Sequence, residues 1–175
     1  MVSRDQWPQP NDASEARVIE NVRRFGCHIV TVECEIERGV PDFGYSVGFF
    51  AQHSQPEVLV LGVSSQTAGR ILNELNRRIE AGLVIQAGGS ADALYEGKTF
   101  RFRPIEAHIA VDYLGFAFWF YRHIPRCDFP IVQAIWPDRT GRFPGDPNCH
   151  PKVVEIQRVK AIEDDGRTKR YRQPR

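Results

Sequence analysis

The segment Trp136-Pro-Asp-Arg-Thr-Gly-Arg-Phe-Pro144 holds the densest set of groups able to grip a ligand. Trp136 and Phe143 offer flat aromatic faces for stacking on a planar molecule, and Arg142 offers a guanidinium for an anion. Asp138 to Gly141 reads as a turn, flanked by Arg139 and Arg142. The alternative is structural: the rings plug the edge of the core, and Asp138 caps the turn or pairs with an arginine. Long ordered loops in compact domains are often functional, so both readings stand.

A second candidate is the stretch Phe43-Gly-Tyr-Ser-Val-Gly-Phe-Phe50. Read as a strand, it points Gly44, Ser46 and Gly48 to one side and Phe43, Tyr45, Val47 and Phe49 to the other. Two glycines weaken a strand, so something must compensate on the small-residue side. Either a helix packs closely there or a ligand approaches the backbone. Ser64, Ser65 and Thr67 cluster at a predicted helix start, with Arg70 one turn inside. Such a terminus suits either phosphate or ordinary capping. His53 and Glu57 sit across a proline-containing loop.

Other chemistries find little support. His28, His123 and His150 are scattered, and no H-x-x-x-H or H-E-x-x-H spacing is present, so no metal site is expected. Cys27, Cys34, Cys127 and Cys149 include no C-x-x-C pair. Cys27 and Cys34 fall on opposite parities of one strand, and buried structural cysteine is the default reading. There is no G-x-S-x-G elbow, P-loop or G-x-G-x-x-G.

The whole chain sets the bounds. Its 175 residues suit one domain, with a core that needs no metal or disulfide. A formal net charge of +1 gives no global case for nucleic acid or an anionic membrane. The longest apolar stretch, Tyr113 to Tyr121, is about half the roughly 20 residues that span a bilayer. With no signal-type leader in Met1 to Trp7, a cytoplasmic protein with reduced cysteines is expected. Eleven Phe, five Tyr and three Trp imply a core of rings, which pack in few orientations.

The elements that must position these groups follow from periodicity. Residues 1–11 read as a loose arm. A helix is expected over 13–25, capped by Asp12 and closed by Gly26. His28 to Ile36 alternates as a half-buried strand, and residues 43–50 form the next, antiparallel to it. Glu57 to Val63 is nearly continuous in apolar residues and reads as a central strand. A second helix follows to about Ala81, with Ala68, Ile71, Leu72, Leu75 and Ile79 on its inner face. Further on, Leu83–Ile85, Thr99–Phe102, Phe129–Trp136 and Val153–Val159 are strand candidates. Gly88 to Ser90 reads as a loop, His108 to Tyr121 as a helix, and 137–151 as a long loop. The stretch 160–175 reads as a charged, disordered tail. The domain is thus expected over 12–159. Its class is α+β: an antiparallel-rich sheet or half-open barrel with two main helices packed on it.

Two motifs carry a family resemblance: Gly44-Tyr-Ser-Val-Gly-Phe49 with the His53…Pro56-Glu57 loop, and Gln133-x-x-Trp-Pro-Asp-x-x-Gly-Arg-Phe-Pro144. Together they resemble the bacterial domain-of-unknown-function family numbered 4262, over about residues 18 to 150. Where that pattern leads us to expect a second tryptophan after Pro144, this chain has Gly145. The resemblance implies a bacterial, soluble, single-domain protein and no particular reaction. The order of elements is also similar to the start of the flavin-binding split barrel, which brings in FMN as a cofactor by analogy alone.

The functional expectation is a small-ligand-binding domain. Its site would lie between the Gly44/Ser46/Gly48 face and the Trp136–Pro144 loop, with Tyr45, His53, Ser65, Asp138 and Arg142 as further contacts. A flavin-dependent reductase is one alternative. A homodimeric interaction module using the Phe-rich 113–121 segment is the other.

Overall fold

The computed structural model describes residues 2–33, 40–124 and 127–160. Cys34, the end of the predicted first strand and the tail from 161 onward lie outside these described residues. Six strands form one open sheet in the order β1-β2-β3-β6-β5-β4. They are β1 (His28–Val32), β2 (Phe43–Val47), β3 (Glu57–Leu61), β4 (Ser90–Tyr95), β5 (Lys98–Pro104) and β6 (Ile131–Ile135). All pairs are antiparallel except β3 with β6, which is parallel. The helices are α1 (Ala13–Phe25), α2 (Phe49–His53), α3 (Ser65–Glu80), α4 (Ala107–Ala110), α5 (Gly115–Tyr121) and α6 (Pro151–Ile156). The chain is therefore a mixed α/β single domain built on a mostly antiparallel sheet that does not close.

Strand β3 sits in the middle because both its faces are apolar. Leu59 and Leu61 join a cluster with Val18, Ile19 and Val22 of α1 and the rings of α5. Val58 and Val60 join a second cluster with Ala68, Ile71, Leu72 and Leu75 of α3. Helices thus cover both faces, as continuous apolar strands require. Asp12 accepts the Glu15 N–H at 2.8 Å to start α1, and Gly26 ends it at a φ of 77°. Ser64 caps α3 in the same way.

Several expectations are corrected. The 43–50 strand stops at Val47: Gly48, at a φ of 109°, turns the chain into α2, so Phe49 and Phe50 are helical. No strand forms at Leu83–Ile85, where the Ile85 N–H donates instead to the Gln55 side chain at 2.8 Å. Ser90 begins β4 rather than lying in a loop. Its hairpin to β5 closes on Glu96-Gly97, both at positive φ, a turn chemistry that Glu conceals in the sequence. The 108–121 helix is two short helices, broken before Gly115. Residues 153–159 are not a strand: Pro151 at the first helical position and the His150 cap start α6 there. The arm over 2–11 docks on the domain, with Trp7 buried edge-on against Phe120 at 5.3 Å. No helix among the described residues is long and apolar enough to cross a membrane.

Candidate functional site

The alternation Phe100-Arg101-Phe102-Arg103 in β5 decides what faces what. Phe100 and Phe102 are buried in the cluster under α3. Arg101 and Arg103 therefore share the opposite face, and pair in register with Ile135 and Gln133 of β6. Loop 136–150 and α6 lie over this face and leave two recesses. Arg101 and Val153 line the larger, and Arg103 and Val154 the smaller.

The larger recess is a cleft of about 880 Å³. Lys98, Arg101 and Arg139 surround it with positive charge, and Trp136 and Phe143 supply aromatic surface. Arg101 is fixed from two sides. Its guanidinium lies 4.0 Å from the centre of the Phe143 ring and pairs with Asp146 at 3.1 Å. Arg139 has no ion pair among the described residues.

Trp136 is anchored at the cleft wall. Its indole N–H donates to the Leu61 carbonyl at 3.1 Å. Its backbone N–H and C=O are both held by the buried Gln157 side chain, each at 2.9 Å. Asp138 organises the loop. One carboxylate oxygen accepts from the Thr140 hydroxyl at 2.7 Å and from the backbone N–H groups of Thr140 and Arg142; the other accepts from the His150 N–H. These donors, the Thr140 hydroxyl foremost, hold the Asp138 carboxyl well below the usual carboxylate range. The loop therefore presents its side chains from a fixed frame.

The sequence-predicted residues divide into two groups. Trp136 and Asp138 line the cleft. Arg142 sits in the same loop, but its guanidinium turns to the Asn148 carbonyl at 3.3 Å. Gly44, Tyr45, Ser46 and Gly48 are buried and line neither recess. A Cβ on Gly44 would lie 2.8 Å from Ala68 Cβ of α3, and one on Gly48 would lie 2.7 Å from the Val22 side chain of α1. Helices thus crowd both glycines, but from opposite sides of the sheet, α3 against Gly44 and α1 against Gly48, so the expected single small-residue face does not form. Tyr45 accepts the Phe116 N–H at 3.2 Å. Ser65 donates to Glu33 at 2.7 Å, and His53 buries Nε2 beside Gly26. The structure does not bring the strand face and the Trp136 loop together into one site. Most of the 113–121 segment, offered as a dimer surface, fills the chain's own core; Phe116 and Phe118 are partly exposed.

Sequence reasoning missed two things. One is the pair Lys98 and Arg101: the Phe/Arg alternation of β5 shows which face Arg101 takes, but not what lies over that face. The other is the role of Glu57, named above only as a loop neighbour of His53: it heads β3 and is fully buried. Its carboxylate accepts from the Ser46 hydroxyl at 2.5 Å, the Tyr121 hydroxyl at 2.5 Å, the Gly48 N–H at 2.9 Å and the Phe50 N–H at 3.1 Å. Ser46 and Tyr121 accept in turn from the N–H groups of Val58 and Ala51. The small-residue strand thus makes room for α3 and supplies a hydroxyl to this network.

A family model described as "Domain of unknown function (DUF4262)" matches residues 21–150. The chain belongs to this family. The DUF4262 match runs from the last turns of α1 through the loop that frames the cleft, so both motifs noted in the sequence fall within it. No curated protein and no solved structure matches the chain. At Gly145, the DUF4262 position where a tryptophan was expected, the φ is 105° and no atom lies within 4 Å of a Cβ built there, so the mouth of the smaller recess is open.

Proposed function

We propose that this DUF4262 chain is a binding domain for a small planar anion, seated in the cleft against Trp136. One observation carries the reading: Lys98, Arg101 and Arg139 ring a cleft of about 880 Å³ whose walls include Trp136 and Phe143. Sites for small molecules run to roughly 300–1,000 Å³ and combine aromatic walls with a few fixed polar groups. An aromatic plane stacks on the indole, and the cations neutralise its carboxylate or phosphate. The cleft's own carboxylate, Asp138, is committed to loop donors; Arg101 pairs with Asp146 and Lys98 lies 3.9 Å from Glu96, so Arg139 is the cation left to the ligand. A reducing, cytoplasmic setting suits the free thiols of Cys27, Cys127 and Cys149.

The test is calorimetric titration with purine mononucleotides, FMN and aromatic carboxylates, each beside its uncharged counterpart. At least one anion is expected to bind, with its neutral counterpart weaker by tenfold or more, on the order of one charge-assisted contact. Arg139→Gln should weaken binding while leaving the fold intact, because Arg139 holds nothing else in place. Equal binding of charged and neutral forms, or no binding across the panel, would overturn the reading. FMN as the preferred ligand would favour a flavin-dependent activity over a simple binding role.

A further inference from the structure

The smaller recess has about 360 Å³ and a different character. Ile105, Ile109, Val154 and Val159 give it apolar walls, and Arg103 and Arg158 bring two guanidinium groups. Arg103 is exposed overall but lines the recess, and it pairs with no carboxylate among the described residues. It donates to neutral oxygens alone, to Gln133 Oε1 at 2.6 Å and to the Gln157 carbonyl at 3.5 Å. Gln133 is itself fully buried and locked by its own bond to the Gln157 carbonyl at 2.7 Å. A buried amide thus aims a cation at a cavity.

A guanidinium that meets only neutral oxygens keeps its charge available to an anion. Partial burial lowers the Arg103 pKa, and no counter-charge acts against it. Nearby charges do not supply one. Glu106 also lines the recess, but it is exposed and lies 3.2 Å from His108 rather than against Arg103. Glu155 pairs with Lys160 at 2.6 Å and lies 3.9 Å from Arg158, all three on the surface.

We infer that this recess is a second binding site, taking a monocarboxylate with a short aliphatic chain: the carboxylate meets Arg103 and Arg158, and the chain lies on Ile109, Val154 and Val159. The geometry separates it from the Trp136 cleft, because successive same-face residues of one strand are roughly 7 Å apart and feed different recesses. The site lacks an aromatic wall, so it selects an aliphatic acid rather than a planar one.

The test is chemical-shift mapping of the full chain with butyrate and hexanoate, beside hexanamide and inorganic phosphate. Hexanoate should move the Ile109, Val154 and Gln133 signals with a Kd in about the millimolar range, typical of one charge contact plus a few methylenes. Hexanamide should bind at least about tenfold more weakly, having lost the charge-assisted bond. Arg103→Gln should abolish the response, Arg158→Gln should weaken it, and Arg101→Gln should leave it unchanged. Should Arg103→Gln fail to fold by circular dichroism, Arg158→Gln and the acid–amide comparison decide. Equal responses to acid and amide would overturn the inference. So would a response to phosphate alone, an undiminished response in folded Arg103→Gln, or no response to either acid.

Discussion

A carboxylate in a protein interior is tolerated only where donors replace the water it has lost. Glu57 has four, two hydroxyls and two backbone N–H groups. Burial is the largest influence on it and raises its pKa above the ordinary carboxylate value, while the donors act in the opposite direction. Between the two values the folded protein keeps a proton that the unfolded chain has released. Stability therefore falls as pH rises through that window. Glu57→Ala strands four donors, and orphaned groups cost roughly 1–3 kcal/mol each, so a loss of at least about 4 kcal/mol is expected in urea unfolding at neutral pH. Glu57→Gln cannot ionise and keeps one acceptor oxygen, which can still serve the three donors that meet Oε1. Its deficit should be about 1–3 kcal/mol below the window and shrink as pH rises. A deficit that grows with pH would contradict the dominance of burial.

At the level of elements, the strand β2 and the helix α3 fit because Gly44 has no side chain. Gly44→Ala would put a Cβ 2.8 Å from Ala68 Cβ and 3.2 Å from the Val30 carbonyl. Overpacking of this kind costs about 1–3 kcal/mol. Adding Ala68→Gly should restore part of that loss, less the roughly 1 kcal/mol that a mid-helix glycine costs. Additive losses in the double variant, measured by thermal or urea unfolding, would mean that the two residues do not meet. The pairing also marks where the sequence was legible. Helices α1 and α3 and strand β3 were readable because caps and apolar periodicity agreed. Strand β2 was read as two-faced, but its end was not, since Phe49 and Phe50 have strand-like side chains and Gly48 alone bends the path. Helix α6 was hidden by the β-branched pair Val153-Val154, although Pro151 marked its start. The Trp136 loop stood out by composition. The cations opposite it come from β5, and only the sheet order brings them there.

Taken whole, the molecule is an open six-stranded sheet with helices on both faces. Its parallel β3–β6 pair sets β6 beside the central strand and carries Trp136 to the end of β3, where Leu61 holds the indole. The likeness to a split barrel extends to the order of the first elements and stops where the sheet stays open. That same order turns Arg101 and Arg103 toward loop 136–150 and creates two recesses of unlike chemistry, one aromatic and one aliphatic. The most direct measurement reads the three tryptophan indole N–H signals by nitrogen–proton correlation spectroscopy during titration with the tightest planar anion. Trp136 lines the cleft, whereas Trp7 and Trp119 are buried in the core around α5. Binding in the cleft predicts that the Trp136 signal shifts through saturation while the other two stay in place. A saturating ligand that leaves Trp136 unmoved would contradict it.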